Sequence, residues 1–400
     1  MVTVELKNYK TESKSRVKAD KKTNTELFYS LLREAKKRLS HTGSLSAKAK
    51  LNGIIVELIT NSIHQYTFWI NNWWLVKDED VLPHARIYSV TGVEGIEPSA
   101  YYHPETNTAL FVNTEYYGQC KSWALGIAAA ILEKRFNTLS VHGASALYKG
   151  RGVIIIAPTG TGKTTQSFKI FMSEHGKICG DDWAFVEFPE VIPEKSSMPL
   201  IAKQPEKSLY MRSETQRENP WLKEVFDTSL NENVVTEKDE CLHTEGVDMC
   251  KLTGKRCVFN EGQLWCYYAF ENSRALVERE KLLGPEKVVD SIPVNLVVLL
   301  RRDSFSPPIK KLSAEEAVSI LRKGEYMVLP GAGPKEKWGT ISYEPWYNPY
   351  LLELDNSRQE FFFRTMFKNY SVPCIILNTG VESIEKTHER IIEELESEAS

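Results

Sequence analysis

VIIIAPTGTGKTT, residues 153–165, joins an apolar run to a glycine-rich loop ending in Lys-Thr-Thr. The run is short and β-branched, as a buried strand is, and KTTQSFKIF after the loop has helical spacing. Such a loop can turn consecutive backbone N–H groups inward around phosphate oxygens, because glycine tolerates the angles required. Thr159, Gly160, Thr161, Gly162, Lys163, Thr164 and Thr165 are therefore the candidate nucleotide-binding residues. In a loop of this kind the Lys163 ammonium reaches the β- and γ-phosphates and the Thr164 hydroxyl holds the bridging cation. The following helix points its positive end at the anion. Ala157 stands where the common pattern has glycine, and Gly160 adds an internal glycine instead. A chance glycine-rich turn would not need a strand directly before it and a helix directly after.

Outward from the loop, GDDWAFVEF follows the short apolar strand KIC, which puts Asp181 and Asp182 at a strand end. Paired carboxylates next to phosphates can ligate a divalent cation and take the proton of an acceptor; alone they would read equally as an acidic turn. Residues 139–142, 153–157 and 177–179 read as strands and 163–171 as a helix, the alternation of an α/β nucleotide-binding core. Helices are expected over 23–39, 119–136 and 382–398 and at KKLSAEEAVSILRKG, with a buried strand over 294–300. Residues 51–75 read as a helix leading into a strand, 1–22 as a flexible terminus, and 330–339 as a mobile Gly/Pro-rich loop.

Fifty Lys and Arg against 53 Asp and Glu leave a net charge of −3 over 400 residues, which excludes an extensive nucleic-acid surface. The 42% apolar content, with 9 Trp, 17 Tyr and 16 Phe, excludes a disordered chain. No apolar run is long enough to span a bilayer, and the polar N-terminus does not read as a signal peptide. Seven cysteines fit reduced thiols. Cys241, His243, Cys250, Cys257 and Cys266 lack the C-x-x-C spacing of a zinc site, so ordinary thiols are the reading. A cytoplasmic protein with a nucleotide and an acceptor as partners, and no nucleic acid or membrane, is expected.

SVHGASALYKGRGVIIIAPTGTGKTTQS followed by GDDWAFVE resembles ATP-dependent phosphoenolpyruvate carboxykinase and its relative HPr kinase/phosphorylase. YYGQCK (116–121), SLNENV (229–234), FENSR (270–274), NLVVLLRRDSFSPPIKKLSAEEA and IILNTG resemble further elements of that family, in family order, over about residues 100–390. The resemblance implies an α/β fold of mixed α+β character. It would comprise a phosphoenolpyruvate carboxykinase-like P-loop mononucleotide-binding core over 136–400 and a smaller N-terminal α/β domain over 23–135 on the substrate side. It also implies ATP as donor, Mn²⁺ held by Lys121, His142 and Asp182, and Mg²⁺ held by Thr164 and the phosphates. Lys163 and Arg274 would stabilise the transferring phosphoryl group, and Glu232 would orient the substrate side. A lysine ligates only as the neutral amine. Read without the family, His142 is a structural histidine at a strand end, Lys121 a solvent-facing helix lysine and Arg274 a surface arginine.

Several family elements differ here. The dicarboxylate-binding T-G-R-S-P-K-D has only HTGSLSAKAK as a counterpart, without Arg or Ser-Pro. Gln119 replaces a glutamate, and VESIEKTHERII follows the NTG where the family carries its adenine loop. The chain is also much shorter than the carboxykinases. These differences fall on substrate and base recognition, so the resemblance implies retained phosphoryl transfer with a changed acceptor. The first expectation is a kinase for a hydroxyl on a small molecule or a protein serine, with Asp181 or Asp182 as base. The second is a carboxykinase that converts oxaloacetate and ATP to phosphoenolpyruvate, CO₂ and ADP. The third is a non-catalytic nucleotide sensor, against which intact Lys163, Thr164, Asp182 and Arg274 count.

Overall fold

The computed structural model describes residues 16–397 apart from 214, 216–220, 223–224, 226–229, 236, 242, 252–253, 264–265, 267–272, 330–334 and 354. The chain divides into two units, residues 1–125 with 206–282, and residues 126–205 with 283–400.

The first unit carries a seven-stranded mixed sheet in the order Lys18–Asp20, Ser99–His103, Thr108–Val112, Ala85–Val90, Ile54–Thr60, Leu45–Leu51, Trp74–Leu75. The helix Thr25–Thr42 starts at Asn24, whose side chain accepts from the N–H groups of Glu26 and Leu27. Phe28, Leu32, Ala35 and Leu39 recur at helical spacing and bury against Tyr88, Val90, Leu110 and Val112 of the sheet. Residues 51–75 hold a strand, Ile54–Thr60, before the helix Ile63–Asn72 and the short strand Trp74–Leu75. Ile54–Thr60 is a strand rather than part of the expected helix, its alternate residues buried, and only Asn61 and the helix cap Ser62 separate it from the helix. Within 1–22, residues 1–15 lie outside the described residues; Lys18–Asp20 is a strand parallel to Ser99–His103, held further by Val17 N–H donating to Gln119 Oε1.

Residues 206–282, expected to belong with the core, pack in this first unit. Ser208–Arg212 pairs with Arg274–Glu278, which pairs with Asn231–Glu232. The group is fastened to the end of the helix Ile63–Asn72: Lys207 N–H donates to Asn72 O at 2.8 Å, and the Ser208 hydroxyl to Asn71 O at 2.9 Å. In FENSR and SLNENV, residues 270–272 and 229 lie outside the described residues, and 230–234, Ser273 and Arg274 lie within them.

The second unit holds a six-stranded sheet in the order Gly176–Gly180, Ala144–Tyr148, Arg151–Ile156, Leu296–Arg301, Cys374–Asn378, Ile309–Leu312. Arg151–Ile156, Leu296–Arg301 and Cys374–Asn378 run parallel at its centre, and their Val/Ile/Leu runs are buried. An antiparallel sheet, Ser291–Pro293, Ile201–Lys203, Trp183–Glu187 and Thr138–His142, lies alongside in the same core. The helix Ala314–Lys323 opens with a capping box between Ser313 and Glu316 and closes at Gly324 in a left-handed conformation. A Cβ at Gly324 would lie 1.8 Å from Glu344 O, so glycine is required there. The helices Asn356–Lys368 and Ile384–Ser397 complete the unit. Of the loop expected to be mobile, 330–334 lies outside the described residues, and Lys335–Lys337 is a 3-10 turn. Among the described residues no helix is long and apolar enough to cross a membrane.

Candidate active site

Arg151–Ile156 releases the phosphate loop at its C-terminal end, the edge at which open α/β sheets receive ligands. Gly160 and Gly162 take φ of +83° and +98°, left-handed values that a side chain would strain. Thr161 is buried: its hydroxyl donates to Pro158 O at 2.7 Å, and its carbonyl accepts from the Thr379 hydroxyl at 2.8 Å. Asn378 Oδ1 accepts from Gly380 N–H at 2.9 Å and from Asp303 N–H at 3.1 Å, so the NTG segment braces the loop from behind. Gly162 begins the helix Lys163–Met172 without a side-chain cap, which leaves first-turn N–H groups available to an anion. Thr159, Gly160, Thr164 and Thr165 are exposed along the loop and first turn.

Two strands bring further groups to this loop by passing from one sheet to the other. Thr138–His142 continues as Ala144–Tyr148 after a break at Gly143, and Gly176–Gly180 continues as Trp183–Glu187 after a break at Asp181 and Asp182. The breaks face each other, with Gly143 N–H donating to Asp182 O at 3.0 Å and Trp183 in register with His142. A Cβ at Gly143 would lie 2.8 Å from Ile155 O, so the crossing needs glycine. His142 Nε2 thereby comes 3.0 Å from Asp182 Oδ1, and Lys163 Nζ lies 3.3 Å from the same oxygen and 3.4 Å from His142 Nε2. Lys163 is 14%, His142 20% and Asp182 37% exposed, so the triad is shielded yet reachable. Asp181 is half-buried beside it.

An imidazole and a carboxylate 3.0 Å apart are a donor pair that suits a divalent ion whose remaining positions are filled by phosphate and water oxygens. Among the described residues no group of three or more His, Cys, Asp and Glu could hold a metal ion. The pair fits an ion shared with a bound nucleotide better than a site built wholly from protein.

A buried polar network sets the strand that ends in His142. Glu133 Oε1 accepts from Ser140 N–H at 3.2 Å, from the Ser140 hydroxyl at 2.7 Å and from Gln359 Nε2. Burial pushes the Glu133 carboxyl up to about 7 against these donors. Asn348 Nδ2 donates to Ser140 Oγ at 3.1 Å, and Asn348 Oδ1 accepts from Tyr350 N–H at 3.0 Å. Tyr350 then sets its ring edge-on to His142, centroids 5.2 Å apart. Neither Glu133 nor Tyr350 lies in a motif; their roles arise only from long-range contacts.

Lys121 and Arg274 belong to the other unit. Lys121 is buried, not solvent-facing, and its Nζ lies 3.0 Å from Oε1 of the buried Glu206. Its Nζ lies 5.4 Å from the Tyr210 ring centroid, and the Arg274 guanidinium 6.0 Å from the same centroid. Glu232 accepts from Tyr117 N–H at 3.0 Å and Gly118 N–H at 3.2 Å at the start of the helix Tyr117–Arg135, and lies 3.0 Å from His64 Nε2. It caps that helix, a positioning role that its charge suits. Glu206 and Tyr210 carry no sequence signal of their own.

Comparison with known proteins yields no matching family model. The chain is 25% identical over 287 residues to phosphoenolpyruvate carboxykinase (ATP) of Aeropyrum pernix, covering 69% of this chain and 52% of that protein. It thus spans about half the length of the curated relative it matches. Among solved structures, the Hpr(Ser) kinase/phosphatase from Coxiella burnetii aligns with a TM-score of 0.27 at 11% identity, over 65% of this chain and 97% of that one. The sequence match runs well beyond the glycine-rich loop, and over that stretch the chain is similar to an ATP-dependent phosphoenolpyruvate carboxykinase.

Proposed function

We propose that this protein is an ATP-dependent phosphotransferase that moves the γ-phosphoryl group of ATP to a hydroxyl. The observation that carries the reading is the convergence of Lys163 Nζ, His142 Nε2 and Asp182 Oδ1 within 3.4 Å of one another beside the phosphate loop. In phosphoryl transfer the protein positions the reactants and balances charge. Loop N–H groups and Lys163 would hold the β- and γ-phosphates, and Asp182, or Asp181 beside it, would orient the acceptor and take its proton. His142 and Asp182 would hold Mn²⁺ and Thr164 with the phosphates Mg²⁺; such ions would supply charge neutralisation at the transferring oxygens. The resemblance adds Lys121 to the first ion and Arg274 to the transferring group on sequence grounds alone. A cavity of about 140 Å³ on the Thr161 side, with Arg302, Phe305, Tyr326 and Ile341 in its wall, is the place for the nucleoside.

The match to a carboxykinase favours a second reading, decarboxylation of oxaloacetate with phosphorylation of the enolate. One assay separates them. Purified protein with ATP, Mg²⁺ and Mn²⁺ is followed for ADP and CO₂, with oxaloacetate and then with hydroxyl compounds. ADP formation that depends on a hydroxyl compound supports the kinase; CO₂ release that depends on oxaloacetate would sink it. Tight ATP binding with no turnover under any condition would leave a sensor.

A further inference from the structure

A second cavity, about 150 Å³, opens where the phosphate loop meets His142, and its wall states what it can hold. His142, Thr159, Tyr326, Glu344, Trp346 and Tyr350 line it, and no Lys or Arg does among the described residues. Tyr326, Trp346, Tyr347 and Tyr350 share the wall with Glu344, which is exposed and is the one carboxylate among the described lining residues. Trp346 is 9% exposed, yet its indole N–H is buried with no partner among the described residues. A buried donor left in this state is costly, and an acceptor oxygen arriving with a ligand would satisfy it. A dicarboxylate entering along this wall would meet the charge of Glu344, which repels it. A hydroxyl compound without negative charge meets the aromatic faces, the indole N–H and the carboxylate without conflict.

We propose that this cavity seats the phosphoryl acceptor, and that the acceptor is a small alcohol bearing no negative charge: a polyol or an amino alcohol. The assignment rests on the phosphotransferase reading above and names its substrate class. The acceptor oxygen bonds to the γ-phosphorus of ATP, and the bond from that phosphorus to the β–γ bridging oxygen breaks. The bridging oxygen keeps the electron pair and leaves as ADP, and the hydroxyl proton passes to the aspartate carboxylate. The product is a phosphate monoester.

The test uses the full chain with ATP, Mg²⁺ and Mn²⁺. Glycerol, myo-inositol, glucose, ethanolamine and choline are compared with oxaloacetate, glycerate and a serine-containing peptide, reading ADP release and new phosphate esters. At least one of the first group should raise ADP release about tenfold over water alone, the scale expected of a bound over an unbound acceptor. For that acceptor, Trp346→Phe and Glu344→Arg should each raise KM about tenfold, as loss of one hydrogen bond or reversal of one charge does, with kcat changed far less. Glu344 is exposed, so Glu344→Arg carries the test if Trp346→Phe does not fold. Stimulation only by oxaloacetate, glycerate or the peptide overturns the proposal, as does unchanged KM in Glu344→Arg. If ATP binds by calorimetry and none of the first group stimulates, the acceptor class is wrong while phosphoryl transfer stands. If ATP does not bind, the underlying reading fails.

Discussion

Glu133→Gln should turn a pH-dependent stability into a flatter one. The Glu133 carboxyl is raised from its ordinary 4.5 to about 7, chiefly because burial penalises its charge more than its donors reward it. Below about pH 4.5 the group is protonated both folded and unfolded and contributes no pH dependence. Between about 4.5 and 7 the folded state holds the proton and the unfolded state has lost it, so stability falls as pH rises through that window. Above pH 7 the full penalty is present, about 3 kcal/mol at 1.36 kcal/mol per pH unit. All three donors, Ser140 N–H, the Ser140 hydroxyl and Gln359 Nε2, meet Oε1. A glutamine amide oxygen in the same place accepts the same bonds without the buried charge. Denaturant unfolding of both proteins from pH 5 to 8 should therefore show the variant gaining on the parent by about 2.5 kcal/mol across the range. ADP formation at pH 6 should stay within about twofold of the parent, because the links from Ser140 to Asn348 and Tyr350 are retained. A difference that does not change with pH would refute the reasoning, since it would mean that Glu133 ionises in its ordinary range.

Three further outcomes follow from particular contacts. A Cβ at Gly126 would lie 2.6 Å from Tyr350 O, and reaching an ordinary 3.4 Å needs a shift of about 0.8 Å in the segment that carries the Tyr350 ring beside His142. Gly126→Ala should therefore lower kcat/KM by about tenfold or more in steady-state assays, while better helix propensity holds the melting temperature nearly constant. Glu206→Gln removes the carboxylate that faces the buried Lys121 at 3.0 Å and should cost about 3 kcal/mol in denaturant unfolding; a cost near zero would favour a neutral Lys121. Thr379→Val deletes the hydroxyl that braces Thr161 O and should weaken ATP binding about fivefold by calorimetry, with a stability loss of about 1 kcal/mol.

What the sequence discloses and what it hides divide on physical lines. The phosphate loop is legible because its chemistry is local: glycines at positive φ, a lysine and a helix start lie within a few consecutive residues. Asp182 and His142 are legible as strand-end residues, but their meeting depends on two strands changing sheets at the same level, which only the Gly143 to Asp182 hydrogen bond makes visible. Lys121 reads as an exposed helix position because its burial comes from Glu206 and Tyr210, remote in sequence. The grouping of 206–282 with the first unit rests on backbone bonds to Asn71 and Asn72, which no composition shift announces. Tyr350 and Trp346, which shape the cavity at His142, look in sequence like ordinary aromatic residues among prolines.

In the proposed reaction Lys163 and Asp182 act together on the transferring phosphoryl group. The most direct measurement is ADP formation from ATP by the parent, Lys163→Ala and Asp182→Asn proteins, singly and combined, with calorimetry for ATP alongside. Lys163→Ala should weaken ATP binding by about tenfold to a hundredfold, as loss of a charge-assisted contact does. Each single variant should lose most turnover, and the double variant should lose little more than the worse single, as residues acting as a unit do. Full turnover in either single variant, or losses that simply multiply in the double, would contradict that joint action.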